Sequence, residues 1–365
     1  NRKMSSAENT MTEKRELSAF EAKNEAQKLA FAPVVFQVVV AMQRLEILDL
    51  ICKNRKGISL ESISDKTGVS LYGVKVLLEM AANADIVKYL DDHTVTVTML
   101  GYFLNSDEMT RVNINFTHDV CYDGFKFLTE SIQNGKPEGL KTLGNWPTIY
   151  PGLSSLPERV KKSWFEFDHF YSDEAFRDAL NIVFQEKPST IFDIGGNTGK
   201  WAFASCEYNP DVKVKILDLP QQIAVAKANA EKRNLTDRIS YFEINLLDKS
   251  QKIPKGADVV WMSQFLDCFG EDEIVAILEN VRQAAAPHTT VFILEPFIDN
   301  QKFDAAAYCL TATSLYFTAL ANGNSKMYSV KAMTGLVERA GLEVVETFPL
   351  IGESFHTILK CKVKA

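Results

Sequence analysis

The fold is decided by the stretch Ile191-Phe192-Asp193-Ile194-Gly195-Gly196-Asn197-Thr198-Gly199-Lys200. An apolar run ends at an aspartate, passes through three glycines and enters a segment compatible with a helix. This order predicts a strand, a turn and a helix. Glycines in such a turn let a ligand approach the backbone, and the first amides of the helix point at it. The stretch therefore predicts a ligand site at the end of a buried strand.

The sequence after this stretch alternates between strand and helix patterns. We predict strands at 190–194, 212–217, 239–244, 257–262 and 290–294, separated by helices, and two last strands at 342–348 and 356–363. Strict alternation predicts a doubly wound, Rossmann-like α/β sheet that is mostly parallel and binds ligands at the carboxyl ends of its strands. No helix separates the last two strands, so one of them should be antiparallel.

The sequence before the stretch predicts a different, mainly α domain. Helical periodicity runs from Phe20 to Leu50, and the part between Phe31 and Val40 is apolar on both sides, so a dimer partner is expected to cover it. A helix capped by Ser59, a second helix at 71–82 and a hairpin at 87–98 follow. Together they predict a winged helix.

Charge argues against nucleic acid as the partner of this winged helix. Its second helix carries one lysine, one glutamate and no arginine, and the hairpin tip is Asp91-Asp92-His93. The whole chain has a formal net charge of -7 and a pI of about 5.5. Because phosphate backbones attract basic surfaces, we expect a dimerisation module and no nucleic-acid contact.

Compartment and metal binding follow from the remaining composition. The longest apolar run, 31–42, is too short to span a bilayer, and no secretion signal opens the sequence, so we predict a cytoplasmic protein without a membrane contact. The six cysteines are scattered without a C-x-x-C pair, which predicts free thiols and no metal site.

The residues around the glycine turn select among nucleotide ligands. A P-loop fails because Trp201 follows Lys200 and because Ile194 stands where its first glycine belongs. A dinucleotide fingerprint fails because Asn197 replaces its second glycine. Asp193 would repel a pyrophosphate but attract an ammonium group, and Asp218 at the end of the next strand suits a ribose diol. These features favour S-adenosylmethionine as the cofactor.

Four segments in this order carry a family resemblance, namely 192–199, Leu217-Asp218-Leu219-Pro220, 270–278 and Ile293-Leu294-Glu295-Pro296. With them the chain resembles the S-adenosylmethionine-dependent O-methyltransferases that include plant caffeate and isoflavone, acetylserotonin and bacterial polyketide enzymes. The resemblance covers nearly the whole chain. It implies a homodimer interlocked through its N-terminal helices, with a small-molecule acceptor in a pocket to which the partner contributes.

The resemblance also implies the site residues and the domain limits. Cofactor contacts are expected at Asp193, Gly195, Gly196, Asp218, Leu219, Asn245, Leu246 and Ser263, and an aromatic acceptor pocket at Trp164, Phe165, Tyr316 and Phe317. We expect a flexible tail at 1–16, a winged-helix dimerisation domain at 17–110, a helical connector and substrate-pocket region at 111–185, and a catalytic domain at 186–365. Four prolines and four glycines between 134 and 158 mark the connection.

The catalytic segment departs from the family pattern Leu-His-Asp-Trp, in which the histidine is the general base. Here the aligned residues are Leu266-Asp267-Cys268-Phe269, so Asp267 stands at the position of the base. Glu295 aligns with an acid that orients the family's histidine. The second orienting acid falls near 325–327, where this chain has none.

Three hypotheses for deprotonating the acceptor remain open. Asp267 is the base if burial and the neighbouring Glu295 raise its pKa, because an ordinary aspartate is too weak for a phenol. His169, on an aromatic helix, is the second candidate. An acidic acceptor such as a carboxylate, thiol or enol would need no base.

The sequence thus predicts O-methylation of a small aromatic hydroxyl compound. The alternative is a family member with altered or lost catalysis that binds the cofactor or regulates. The sequence does not name the acceptor.

Overall fold

The structure is a computed structural model that describes residues 14–352 and 356–365. Most of the tail predicted at 1–16 lies outside these residues. The chain divides into two compact units, Asn1–Asp119 and Val120–Ala365.

The first unit is built from helices and a small sheet. Its helices are α1 (Ala19–Ala30), α2 (Ala32–Arg44), α3 (Ile47–Lys53), α4 (Leu60–Thr67), α5 (Leu71–Asn83), α6 (Met99–Ser106) and α7 (Glu108–Asn115). Its strands are β1 (Ile58–Ser59), β2 (Val87–Tyr89) and β3 (Thr94–Val97), which form an antiparallel sheet in the order β1-β3-β2. The predicted order of helix, turn, helix and hairpin is therefore present.

Local chemistry explains the ends of these helices. The Ser59 hydroxyl accepts a hydrogen bond from the Ser62 amide at 3.1 Å and caps α4, and Gly68 ends it in the left-handed region. The helical periodicity predicted over 20–50 is interrupted twice. Pro33 stands in the first turn of α2, and Glu46 has a φ of 62° between α2 and α3.

Large apolar side chains are exposed on the first two helices of this unit. Phe20, Leu29, Phe31 and Val34 are all exposed, whereas Val39, Val40 and Met42 further along α2 are buried in the core of the unit. Among the described residues no single helix is long and apolar enough to cross a membrane. Only α1 and α2 taken together pass that test, as a pair bent by 55°.

The second unit contains the large sheet. Its helices are α8 (Leu128–Asn134), α9 (Glu158–Ser172), α10 (Phe176–Val183), α11 (Lys200–Tyr208), α12 (Pro220–Lys232), α13 (Glu271–Ala284), α14 (Asp304–Tyr316) and α15 (Val330–Arg339). Its strands are β4 (Thr190–Ile194), β5 (Lys213–Asp218), β6 (Ile239–Glu243), β7 (Val259–Ser263), β8 (Thr290–Glu295), β9 (Leu342–Ile351) and β10 (His356–Val363).

The sheet has the order β6-β5-β4-β7-β8-β10-β9. Strands β4 to β8 pair in parallel, and β10 is antiparallel to both β8 and β9. The predicted fold class, including one antiparallel strand near the C-terminus, is confirmed. The strand order reverses between β4 and β7, and this switch point opens the crevice in which such sheets bind ligands.

Alternating side chains of β4 pack on opposite faces of the sheet. Phe192 and Ile194 belong to one buried apolar cluster, and Ile191 belongs to the other. Both faces are covered, which is why the strand reads as a continuous apolar run. The exception is Asp193, a buried acid near its carboxyl end.

Candidate active site

The turn after β4 brings backbone close to the crevice. The Gly195 amide donates to the Leu217 carbonyl at 2.9 Å, and the Gly199 amide donates to the Gly196 carbonyl at 3.0 Å. Gly195 and Gly199 have φ values of 70° and 96°, and an added Cβ would collide with the rings of Phe265 and Phe203, respectively. Only glycine satisfies both the conformation and the space.

Asp193 presents a buried oxygen without a partner. The side chain is 2% exposed, and its Oδ2 has no hydrogen-bond partner among the described residues. A Cβ on Gly196 would lie 2.8 Å from this oxygen, so the missing side chain keeps it open. Burial, together with the carboxylate of Asp218, raises the pKa of Asp193 to about 8. An ammonium group would both pair this carboxylate and restore its charge.

Asp218 is held by the two turns beside it. Its Oδ2 accepts from the Asn197 amide at 3.0 Å, and its Oδ1 accepts from the Leu219 amide at 2.7 Å. Each carboxylate oxygen has a further lone pair, so both remain able to accept from a hydroxyl group. Strands β4 and β5 are parallel neighbours, and the Asp218 carboxylate contributes to the raised pKa of Asp193, so the two carboxyl groups lie close together at the ends of these strands. This pair suits the amino acid and ribose parts of one ligand.

The other predicted cofactor residues lie at the same edge of the sheet. Asn245 and Leu246 follow β6; the Asn245 side-chain oxygen accepts from the Leu247 amide at 3.1 Å, and Leu246 is buried. Ser263 ends β7. The orphaned Asp193 oxygen, the glycine gap and the acceptor oxygens of Asp218 together fit S-adenosylmethionine.

A pair of carboxyl groups stands at the ends of the next two strands. Asp267 lies in a short turn after β7, and Glu295 is the last residue of β8. Both are buried, and Glu295 Oε1 accepts from the Asp267 amide at 3.4 Å. Sequence reasoning placed them in one site, and the structure brings them together.

Burial sets the protonation of this pair. It raises the pKa of Asp267 to about 6, an effect that Asp168 reinforces and the Cys268 thiol opposes. Burial and the Asp267 carboxylate raise the pKa of Glu295 well above its ordinary value. Two close carboxyl groups resist double ionisation, so the pair favours a state with one proton and one negative charge.

The turn that carries Asp267 is tightly fixed. Gln264 has a φ of 46°, and its amide donates to the Leu294 carbonyl at 2.8 Å, which turns the chain away from the sheet. The Phe269 amide donates to the Leu266 carbonyl at 3.1 Å. Glu273 accepts from the Gly270 amide at 2.9 Å and caps the following helix α13.

A polar network lies behind Asp267. The Cys268 thiol donates to Asp267 Oδ1 with an Sγ–Oδ1 distance of 3.5 Å, and the Tyr150 hydroxyl is hydrogen-bonded to Cys268. Asn322 Nδ2 lies 3.1 Å from the Tyr150 hydroxyl, 3.0 Å from the Cys268 carbonyl and 2.7 Å from the Ser325 hydroxyl. The loop without the family's second acid is thus tied to the catalytic segment by an amide.

His169 lies beside a cation. Its Nδ1 is 2.8 Å from the Lys200 ammonium nitrogen, and its ring stacks at 6.2 Å from that of Phe165. A lysine can only donate, so Nδ1 accepts and a neutral ring carries its proton on Nε2. Neither nitrogen then offers a lone pair to a substrate, which makes His169 a weaker candidate base than Asp267.

The four predicted pocket aromatics contact one another. Trp164 Nε1 donates to the Tyr316 hydroxyl at 2.9 Å. The ring of Phe165 packs edge-on to that of Trp164 with 5.0 Å between centroids, and the ring centroids of Phe317 and Tyr316 are 5.3 Å apart. Burial raises the pKa of Tyr316 well above its ordinary value, and electrostatic interactions with Cys268 and Asp168 raise it further. This aromatic group is therefore near the carboxyl pair.

Sequence reasoning missed Asp168, Tyr150 and Asn322. Asp168 was detectable, because it lies four residues after Trp164 and so on the same face of α9. Tyr150 begins a short 3₁₀ helix and Asn322 follows a short π-helix, and the two are 172 residues apart, so no local pattern connects them.

Comparison with known proteins identifies the family. An O-methyltransferase domain matches residues 154–343, and a Dimerisation2-like domain matches residues 23–94. The L-tyrosine C(3)-methyltransferase of Streptomyces lavendulae is 23% identical over 326 residues, covering 88% of this chain and 87% of that protein.

Solved structures share the fold at lower identity. The S-adenosylmethionine-dependent methyltransferase SibL has a TM-score of 0.69 at 18% identity, covering 93% of this chain and 98% of its own. The O-methyltransferase NcsB1 from neocarzinostatin biosynthesis, in complex with S-adenosylmethionine and 2-hydroxy-5-methyl naphthoic acid, has a TM-score of 0.62 at 19% identity, with 90% and 95% covered. The chain belongs to the S-adenosylmethionine-dependent O-methyltransferase family, which confirms the predicted enzyme class and cofactor.

Proposed function

We propose that this methyltransferase acts on the hydroxyl group of a small aromatic compound and that Asp267 is the proton acceptor. The observation that carries the proposal is the buried pair of Asp267 and Glu295, in which Glu295 Oε1 accepts from the Asp267 amide at 3.4 Å. Burial raises the pKa of both carboxyl groups. The proposal assigns the cofactor to Asp193, Gly195, Gly196, Asp218, Leu219, Asn245, Leu246 and Ser263.

The chemistry assigned to these residues is limited and specific. S-adenosylmethionine supplies the methyl group when bound. Asp267 takes the proton of the acceptor hydroxyl, and Glu295, which keeps its own proton, holds the Asp267 turn through the backbone amide. Positioning provides much of the rate in such a displacement, and the base adds about 10²–10⁴-fold.

The pKa of Asp267 limits the range of hydroxyl compounds that can serve as the methyl acceptor. A base with a pKa of about 6 remains weak for a simple phenol of pKa about 10. A hydroxyl group acidified by a neighbouring carbonyl or a fused ring is better matched. The aromatic group of Trp164, Phe165, Tyr316 and Phe317, and the hydroxynaphthoic acid bound by NcsB1, support an aromatic acceptor.

Turnover of a graded series of phenols tests this assignment. Asp267→Asn should lower kcat/KM by about 100-fold or more, because the base is removed while the shape is kept. In the unaltered enzyme kcat/KM should rise as the pH passes about 6, where Asp267 ionises. The control is Asp272→Asn, an exposed aspartate on α13 paired with Arg339. Full activity of Asp267→Asn across the pH range would remove Asp267 from the role.

We also propose a homodimer formed through the first unit. The Dimerisation2-like match and the exposed side chains of Phe20, Leu29, Phe31 and Val34 support it, since a monomer would leave this apolar surface in water. Phe20→Glu with Leu29→Glu should convert a dimer into a monomer in light scattering. The control Tyr72→Glu places a charge at another exposed aromatic residue of the unit. A monomeric unaltered protein would contradict the proposal.

A further inference from the structure

The oxygens of Asp267 have different surroundings. Oδ1 accepts a hydrogen bond from the Cys268 thiol, with an Sγ–Oδ1 distance of 3.5 Å. The thiol itself is hydrogen-bonded to the Tyr150 hydroxyl, which lies 3.1 Å from Asn322 Nδ2. A chain of neutral donors therefore ends on Oδ1 of Asp267, and the Glu295 side chain is also hydrogen-bonded to this carboxyl group.

The thiol is suited to a lasting donor role. Burial, and after it the Asp267 carboxylate, raise the pKa of the Cys268 thiol well above its ordinary value, so it keeps its proton at any working pH. An aspartate at this position, as in the family pattern, would instead place another negative charge beside Asp267. That arrangement suits a histidine base, which becomes positive, but it opposes a carboxylate base.

We propose that Cys268 is a positioning residue that orients the Asp267 carboxylate and stabilises its charged form by donating to Oδ1, with Tyr150 and Asn322 holding the thiol in place. The inference rests on the proposed role of Asp267. Both departures from the family pattern, at Asp267 and at Cys268, then follow from the use of a carboxylate base in place of a histidine base. The two substitutions form one functional pair.

Asn322 completes the support from the opposite side. Its Nδ2 donates to the Cys268 carbonyl, and its Oδ1 accepts from the amides of Asn324 and Ser325, both at 3.0 Å. The amide thus connects the loop after α14 to the backbone of the catalytic turn. Tyr150, fixed between Asn322 and the thiol, limits the rotation of the Cys268 side chain.

Other titratable groups also face Asp267, and they set the background for a pH test. Glu295 comes from β8, Asp168 from α9, and Tyr328 from the segment before α15, and each interacts electrostatically with Asp267. None of them is altered by a substitution at position 268. Loss of the thiol donor removes a hydrogen bond to the charged form, so the pKa of Asp267 should rise.

A matched pair of variants measures the effect on catalysis. Cys268→Ala should lower kcat about five- to tenfold with little change in KM, since about one hydrogen bond is lost, and should move the acid limb of the pH profile upward. Cys268→Ser keeps a donor and should restore both the rate and the limb. An unmoved limb in Cys268→Ala, or a Cys268→Ser variant no better than alanine, would overturn the inference.

A second measurement needs neither cofactor nor acceptor. The infrared S–H band of Cys268, isolated as the difference between the unaltered protein and Cys268→Ser, should lie below that of a free thiol. It should move to higher wavenumber in Asp267→Asn, where a neutral amide replaces the charged acceptor. An unchanged band would overturn the thiol contact even if Asp267 proves to be the base. Full turnover by Asp267→Asn, with a shifted band, would instead defeat the proposed function, and with it the positioning role of Cys268 in catalysis, while the thiol contact would stand.

Discussion

Two neighbouring parts of the sheet edge handle buried carboxyl groups in different ways. The cofactor half, formed by Asp193, Gly196 and Asp218, leaves an oxygen of Asp193 without a partner. The acceptor half, formed by Asp267, Cys268 and Glu295, surrounds its charged group with hydrogen bonds from the protein. In the first half we propose that the ligand supplies the missing partner. In the second the protein supplies it, so the carboxylate is kept ready for a proton.

The difference matches the pattern of sequence departures. Two of the four segments that carry the family resemblance, 192–199 and 217–220, belong to the cofactor half. In the acceptor half Glu295 matches the resemblance, whereas Asp267 and Cys268 depart from the pattern that it implies and no acid stands at 325–327. A site that binds one fixed ligand tolerates little change. A site that binds a variable acceptor can replace a whole set of residues together, provided that the charges still balance.

The largest effect is expected when the Asp193 carboxylate of the cofactor half is removed. Asp193→Asn should weaken S-adenosylmethionine binding by about 100-fold, because an ammonium group loses a buried carboxylate. Calorimetry measures this, with the exposed Asp237→Asn as control. The same titration of the unaltered protein at pH 7 should release a proton, since Asp193, with a pKa of about 8, must ionise to pair with the ammonium group. Unchanged affinity would remove Asp193 from the cofactor site.

A smaller effect is expected when the space beside Asp193 in the same half is filled. Gly196→Ala would place a Cβ 2.8 Å from Asp193 Oδ2 and 2.9 Å from a methyl group of Ile216. We expect binding to weaken about tenfold, since the carboxylate must shift away from its ligand. Gly335→Ala on α15 is the matched control, because an added Cβ there meets no atom within 4 Å. Equal binding by the two variants would show that the gap is not used.

The smallest effect is expected in the acceptor half, where a neighbouring charge changes the pKa of Asp267. Asp168 raises the pKa of Asp267, so Asp168→Asn should lower that pKa and move the acid limb of kcat/KM to lower pH by less than about one unit. The sign follows because the ionised form of Asp267 loses a repelling neighbour. Glu166→Gln, on the same helix, is the control. An upward shift would contradict the electrostatic arrangement described for this half.

The sequence predicted the cofactor half better than the acceptor half for a physical reason. Strand, turn and glycines are consecutive around Asp193, so local patterns suffice, and β4 and β10 lie within the predicted limits. Asn322 reaches Cys268 across 54 residues, and only the packing of the second unit brings them together. The helical periodicity predicted over 20–50 is divided among three helices, and the break at Glu46 is a left-handed backbone conformation that no pattern of apolar residues reveals.

The position of β10 has a consequence for the order of folding. This strand lies between β8 and β9, although β9 precedes it in the chain. During synthesis β9 therefore emerges before the strand that it must pair with, and it has no place in the sheet until β10 has followed. The parallel strands can assemble earlier, with the β8 edge open. Glu295 lies on that edge and pairs with Thr357, so its carboxyl group enters its final surroundings only in the last step of sheet formation.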